Sequence, residues 1–224
     1  MPLKTTAIAS AFLLLAGLVT ADEPESKTEK LAEAVCTTGS QEYRLALTQQ
    51  VLQESTLSSR LVVLAVERSA TTGTAEPRRI WQDFGHYLSG VFPRPAWSGT
   101  LLCGRLPGQV WLMMSITNGL RVQVRAYTLD LAATGQTFPD PQAYVGKLIR
   151  EEERVKPVAE WNGELAGDGC GVRSVEAKLD GDDVLVQLNR HDGGCAPLRV
   201  RLNAKTSRFE EVASGDRPRA GGKS

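Results

Sequence analysis

The stretch VRSVEAKLDGDDVLVQLNRHDGGCAPLRVRLNA, residues 172–204, alternates apolar and polar side chains until turn residues interrupt the alternation. Gly181-Asp182 fits a two-residue hairpin turn with glycine at the first central position. In the implied register Val186 lies opposite Ala177, and one face of the hairpin is wholly apolar, as an antiparallel sheet buried on one side requires. The sequence therefore predicts a β-hairpin with three apolar pairs: Val175 with Leu188, Ala177 with Val186, and Leu179 with Val184.

This hairpin continues into a predicted meander. Residues 198–204, LRVRLNA, alternate again, so their apolar side chains would extend the buried face. Arg199 and Arg201 then point outward from the third strand. A fourth short strand is predicted at residues 208–212, RFEEV, after a turn.

The segment NRHDGGC, residues 189–195, connects the second and third strands of the meander. Its two glycines allow a bend, and the hairpin register brings Cys170 near enough to Cys195 for a disulfide. We interpret the segment as a disulfide-bonded loop. The alternative is a catalytic pair of His191 and Asp192, which would need a nucleophile from elsewhere in the chain.

The N-terminus has the pattern of a secretory signal peptide. Lys4 precedes the apolar run AFLLLAGLV, and a small-residue site ends at Ala21. We expect cleavage after Ala21 and a periplasmic or secreted protein without a membrane span. The alternative is an uncleaved anchor, but the apolar run is shorter than the roughly 20 residues that a spanning helix needs.

Four cysteines lie beyond this segment, at Cys36, Cys103, Cys170 and Cys195. An even number in an exported chain favours disulfides over metal ligands. The sequence has no C-x-x-C motif, which argues against a zinc knuckle and against a thiol oxidoreductase. Three pairings are possible. We favour Cys36 with Cys103 and Cys170 with Cys195, because each pair closes within its own segment.

A second hairpin signal lies at residues 109–131, QVWLMMSITNGLRVQVRAYTLDL. Asn118-Gly119 suits a type I′ turn, which would place Trp111 opposite Ala126. The first strand is apolar on both faces, so another element must cover it.

Two helices are predicted as packing elements. Residues 140–155 begin with Asp140 as a cap and Pro141 at the first helical position. Residues 76–92, EPRRIWQDFGHYLSGVF, have helical periodicity in their apolar side chains Ile80, Phe84, Tyr87, Leu88 and Val91.

These patterns predict an α+β fold, mainly antiparallel β, with hairpins, a C-terminal β-meander and one or two packed helices. The expected regions are a signal peptide at 1–21, a charged mobile segment at 22–35, a β-rich region with one helix at 36–135, a helix plus β-meander region at 136–212, and a disordered tail at 213–224.

The charges balance. The chain has 26 Lys and Arg against 26 Asp and Glu, and removal of residues 1–21 takes away only Lys4. A near-zero net charge argues against general attraction to nucleic acid or to anionic lipid. The 42% hydrophobic content is ordinary for a globular chain.

The sequence lacks most of the common catalytic motifs. It contains no G-x-S-x-G elbow, P-loop or H-E-x-x-H motif, and its two histidines, His86 and His191, are too few for a histidine-rich metal site. Glu164 and Asp168 could form a carboxylate pair, although the sequence does not give their separation. We predict no cofactor and no metal ion.

Three functions remain open. The leading hypothesis is a non-enzymatic factor that binds another protein in the envelope or outside the cell, such as an inhibitor, an immunity-type factor or a secretion accessory. Its binding residues would be Arg190, His191, Asp192, Arg199 and Arg201. The alternatives are a hydrolase with an unrecognised carboxylate site, and a small-molecule or glycan-binding module that uses the aromatic side chains Trp81, Phe84, Tyr87 and Phe92.

Overall fold

A computed structural model shows twelve β-strands in the described part of the chain, arranged as three four-stranded sheets. It describes residues 28–54, 59–72, 76–88, 96–118, 121–147, 149–165, 171–190 and 196–212. The predicted signal peptide, the predicted tail at 213–224, and Cys170, His191, Asp192 and Cys195 lie outside these ranges.

Each sheet is an antiparallel meander, because strands that follow one another in the chain lie side by side. The first sheet contains β1 to β4, at Thr28–Thr38, Gln41–Glu54, Ser59–Ala70 and Arg78–Leu88. The second contains β5 to β8, at Ala96–Cys103, Gln109–Asn118, Arg121–Asp130 and Ala159–Glu164. The third contains β9 to β12, at Val172–Asp180, Asp183–Arg190, Leu198–Asn203 and Arg208–Glu211.

The second sheet lies between the other two and packs on both faces. One face of β6, with Leu112 and Met114, joins a buried cluster with Leu64 of the first sheet. The opposite face, with Met113, joins a buried cluster with Val186 of the third sheet. This explains why β6 is apolar on both faces. The element predicted to cover β6 is therefore a sheet on each side of it.

The C-terminal meander has the predicted register. Val186 pairs with Ala177, Leu188 with Val175, and Val184 with Leu179. β11 and β12 complete the sheet in the predicted order. The prediction of an antiparallel C-terminal meander is therefore confirmed.

The register of the β6–β7 hairpin differs from the prediction by two residues. Trp111 lies opposite Thr128, and Ala126 lies opposite Met113. Pairing continues to Asn118 and Arg121, so the connection is residues 119–120. A two-residue slip leaves every side chain on its own face, and the hydrophobic pattern therefore could not distinguish the two registers.

The prediction of a helix at residues 76–92 is wrong, because Arg78–Leu88 is β4. Trp81 is buried between the first two sheets. Phe84 is buried on the opposite face of the first sheet with Leu61 and Val63. A strand buried on both faces loses its alternation, and a bulge beside β3 shifts it further. The remaining apolar spacing resembled that of a helix.

The second predicted helix is also wrong, and it is replaced by two short 3-10 turns, Pro141–Tyr144 and Glu151–Glu153. Asp140 does cap the first turn, since its side chain accepts a hydrogen bond from the Gln142 N–H at 2.9 Å. Gly146 then adopts a positive φ of 74°, which a continuous helix does not permit. The packed helices of the α+β prediction are therefore absent from the described residues, and the fold is mostly antiparallel β.

The N-terminal residues and two of the cysteines bear on further predictions. Residues 28–35, predicted as part of a mobile segment, belong to β1. A disulfide joins Cys36 of β1 to Cys103 of β5, which confirms that predicted pair. No helix among the described residues is long and apolar enough to cross a membrane.

Candidate functional site

The second sheet changes from apolar to polar along the face that meets the first sheet. Alternate residues of β7 lie on this face. Leu129 and Tyr127 belong to the buried cluster, and Arg125 and Gln123 follow toward the β6–β7 connection. The apolar interface between the two sheets therefore ends in polar side chains.

A cavity of about 170 Å³ lies where this change occurs, and we call it the inner chamber. Trp81, Trp97 and Tyr127 form aromatic walls, and Trp81 meets Tyr127 edge to face with ring centroids 5.1 Å apart. Leu64 and Met114 of the apolar cluster also line it. The inner chamber is therefore aromatic at its sides and borders the core.

Gly85 of β4 lets Trp97 lie against the strand. A Cβ atom at Gly85 would come within 2.6 Å of the Trp97 ring. Real side chains do not approach so closely, so any larger residue would displace the tryptophan. The glycine thus contributes to the shape of the inner chamber.

Asp83 is the buried carboxylate of the inner chamber, with only 4% of its surface exposed. It accepts hydrogen bonds from the Val155 N–H at 3.4 Å and from the Tyr127 hydroxyl at 3.5 Å, both longer than usual. Burial raises the pKa of the Asp83 carboxyl, although the backbone N–H groups of Phe84 and Val155 oppose the shift. The carboxylate therefore retains capacity to accept further hydrogen bonds.

Two buried donors beside the inner chamber have no protein acceptor. They are the indole nitrogen of Trp81 and the Nε atom of Arg154, and both residues line the cavity. A buried donor left unpaired costs about 1–3 kcal/mol. Burial, and then the nearby Asp83 carboxylate, raise the pKa of the Tyr127 hydroxyl, so it remains a donor at neutral pH.

A second cavity of about 390 Å³ lies on the polar end of the same sheet face, and we call it the outer shelf. Glu160 organises the side chains beside it, since its carboxylate accepts from Arg125 at 3.0 Å, Gln123 at 2.9 Å and Asn162 at 3.2 Å. Gln123 also donates to Asn162 at 3.1 Å. This network holds the amide groups of the outer shelf in place before any ligand arrives.

The structure places the three described residues of the predicted binding set elsewhere, on the third sheet. Arg199 donates to Gln187 at 3.1 Å, and Arg201 donates to Asp180 at 3.0 Å. Arg190 ends β10 and pairs with Val172. His191 and Asp192 fall outside the described ranges, so their place beside these arginines remains a prediction.

Some of the other candidate residues predicted from the sequence lie at the two cavities, and the rest fall outside the described residues. Trp81 lines the inner chamber with its ring, whereas Phe84 borders the chamber but packs its ring with Leu61 and Val63 on the opposite face of the first sheet. The side chains of Tyr87 and Phe92 fall outside the described set. Glu164 is exposed on the outer shelf, and Asp168 is not described. The part of the chain that the structure describes contains no group of three or more side chains suited to hold a metal ion.

Sequence reasoning missed Asp83, Arg125, Tyr127 and Arg154. Asp83 lies within residues 76–92, for which the sequence predicts a helix that does not form. The signal was the run IWQDF, residues 80–84, in which a carboxylate stands between large apolar side chains. Had this run been recognised as a strand buried on both faces, the carboxylate would have been an unusual buried charge.

No protein-family model matches the sequence, and no curated protein shows significant similarity to it.

Proposed function

We propose that the protein is an exported, disulfide-stabilised binding protein that holds a small neutral sugar in the inner chamber. One observation carries the proposal. Buried hydrogen-bonding groups, which the protein itself pairs weakly or not at all, line a cavity with aromatic walls. Ligand pockets combine apolar and aromatic walls with a few placed polar groups in this way.

The polar groups require a ligand that both donates and accepts. Asp83 can accept further hydrogen bonds, whereas Trp81 and Arg154 have donors to offer. A sugar hydroxyl can donate to the carboxylate and accept from the indole or the guanidinium. The C–H face of a sugar ring can pack against the indole rings. A purely apolar ligand would leave these groups unpaired at a cost.

The charges of the site favour a neutral ligand. Arg125 forms an ion pair with Glu160 at 3.0 Å. The remaining charged side chains at the inner chamber are Asp83 and Arg154, which have opposite signs. A ligand with a net charge would enter a partly buried site without a balancing charge, which is unfavourable.

Export is supported by the signal-peptide pattern at residues 1–21 and by the Cys36–Cys103 disulfide, since disulfides persist in oxidising compartments.

Saturation-transfer NMR and calorimetry on the mature chain test this proposal with glucose, galactose, mannose and N-acetylglucosamine. We expect at least one of them to bind, and Asp83→Asn to weaken that binding about tenfold or more by removing a charged acceptor. Asp182→Asn, an exposed carboxylate in the β9–β10 turn, is the matched control and should bind like the wild type. Absence of binding by all four sugars would overturn the proposal.

A second function, binding of a protein partner, is favoured by the outer face of the third sheet. Asn189 donates to Glu176 at 2.7 Å and accepts from Gln187 at 2.8 Å, and Gln187 accepts from Arg199. This chain of hydrogen bonds holds Arg199 in place, and a partner would therefore lose less entropy on binding it. Arginine is also enriched among residues that dominate interface energy.

Pull-down from the periplasmic or secreted fraction tests the second function. A partner retained by the wild type should be lost with the Arg199→Ala/Arg201→Ala double variant and kept by Lys147→Ala, which changes an exposed residue outside the third sheet. Equal retention by the double variant would exclude this face as the contact surface.

A further inference from the structure

The inner chamber and the outer shelf adjoin each other. Three residues line both cavities, namely Ile116, Asn118 and Gln123. The inner chamber alone, at about 170 Å³, is smaller than the roughly 300–1000 Å³ typical of ligand sites. With the outer shelf, at about 390 Å³, the combined site falls within that range.

We infer that the ligand is a linear oligosaccharide whose terminal unit occupies the inner chamber and whose next unit lies on the outer shelf. This inference rests on the proposed function, because it extends the same site. It adds two properties to that function, recognition of a chain end and a preference for more than one sugar unit.

Recognition of a chain end follows from where the combined site closes. Leu64 and Met114 line the inner chamber and are buried in the apolar cluster between the first two sheets. A chain cannot continue through that cluster. The outer shelf instead reaches Asn118 and Glu164, which are exposed. Among the described residues, the outer shelf offers a bound chain a path from the inner chamber to solvent.

The side chains of the outer shelf suit a second neutral unit. Gln123 and Asn162 carry amide groups, which offer donors and acceptors to hydroxyl groups. Arg121 and Glu164 occupy opposite positions on β7 and β8 and carry opposite charges. The shelf therefore presents hydrogen-bonding capacity without an excess of either charge.

The outer shelf is also arranged in advance. Glu160 fixes Gln123 and Asn162 through hydrogen bonds of 2.9 and 3.2 Å, and its second oxygen accepts from Arg125, which lines the inner chamber. Side chains already held in one geometry lose little conformational entropy on binding. The second unit should therefore add affinity rather than merely be tolerated.

Calorimetry against chain length tests the inference. The probes are glucose and N-acetylglucosamine with their 1,4-linked di- and tetrasaccharides. For the sugar that binds, we expect the disaccharide to bind about tenfold more tightly than the monosaccharide, and the tetrasaccharide to add little more. Blocking one end of the disaccharide with a bulky group should abolish binding, whereas blocking the other end should not.

Two variants separate the subsites. Asn162→Ala should reduce disaccharide affinity to the monosaccharide level and leave monosaccharide affinity unchanged, whereas Asp83→Asn should weaken both. Asn189→Ala, which removes a comparable amide from a hydrogen-bonded network on the third sheet, is the matched control. Thermal melting of each variant verifies that it folds.

The outcomes distinguish this inference from the proposed function. Equal affinity for the monosaccharide and the disaccharide would overturn the inference and leave the proposed function standing. Equal binding of both end-blocked disaccharides would overturn the recognition of a chain end. Failure of every probe, and of galactose and mannose as well, would overturn the proposed function itself.

Discussion

The two faces of the second sheet bury polar groups in different ways. On the side of the third sheet, Ser115 and Thr117 are neutral and hydrogen-bonded, Ser115 to Ser98 at 2.8 Å and Thr117 to a backbone carbonyl at 3.3 Å. On the side of the first sheet, Asp83 is charged and weakly paired, and Trp81 has an unpaired donor.

This difference supports the proposal that the interface with the first sheet is the functional one. Buried polar groups in an interface that serves only stability are paired, whereas unpaired groups lower stability and persist at functional sites. We therefore expect the third-sheet interface to be sensitive to any charge. By contrast, the protein should become more stable when the charge of Asp83 in the inner chamber is removed.

The largest effect should come from Val186→Asp, which places a charge in the interface between the second and third sheets. Val186 is 0% exposed, and an unpaired buried charge should cost about 4 kcal/mol or prevent folding. Gln187→Asp, the next residue and on the outer face, should cost less than about 1 kcal/mol. Urea denaturation measures both, and equal losses would show that the faces are assigned wrongly.

The Cys36–Cys103 disulfide should have the next largest effect. It closes a loop with a sequence separation of 67 residues, which corresponds to about 4 kcal/mol in the chain-entropy model. The Cys36→Ala/Cys103→Ala double variant should lose about this much in urea denaturation. A loss below about 1 kcal/mol would indicate that the first two sheets hold β1 and β5 together without the covalent link.

Asp83→Asn should change stability in the opposite direction, with a gain of about 1 kcal/mol at neutral pH. The asparagine keeps the shape of the side chain and removes a buried charge with long hydrogen bonds. The same variant should lose sugar binding. A variant that lost both stability and binding would show that the carboxylate supports the fold.

The pH dependence of this gain has a definite sign. Burial raises the pKa of Asp83 in the folded state above its ordinary value of 3.8, so the folded protein holds the proton more tightly than the unfolded chain. Ionised Asp83 therefore destabilises the fold, and this loss of stability develops as pH rises through the folded-state pKa. The advantage of Asp83→Asn should disappear as pH falls toward 3.8, since the other carboxyl groups titrate alike in both proteins.

The smallest effect should come from Arg201→Ala on the outer face of the third sheet. Its ion pair with Asp180, at 3.0 Å, is partly exposed, and such pairs contribute less than about 1 kcal/mol. Thermal melting should therefore change little. A larger loss would mean that this polar face contributes to the fold as the buried faces do.

How much the sequence could predict depended on how many faces each strand buries. β9 and β10 bury one face, so their alternation and the Gly181-Asp182 turn were sufficient for the correct register. β4 buries both faces, and its apolar spacing was mistaken for a helix. The helix predicted at residues 140–155 does not form, because a correct cap at Asp140 does not indicate how far helical turns continue.

The local chain pattern was sufficient for the antiparallel β-meander and the need for a cover over β6, because both depend on spacing and turn chemistry. Cysteine count and position favoured the Cys36–Cys103 pair among three possible pairings. Tertiary packing alone brings Asp83 of β4, Tyr127 of β7 and Arg154, far apart in sequence, to one cavity. The physical reason is that a side chain's burial and hydrogen-bonding partners depend on which sheet covers its strand. In this protein that cover comes from segments far away in the chain.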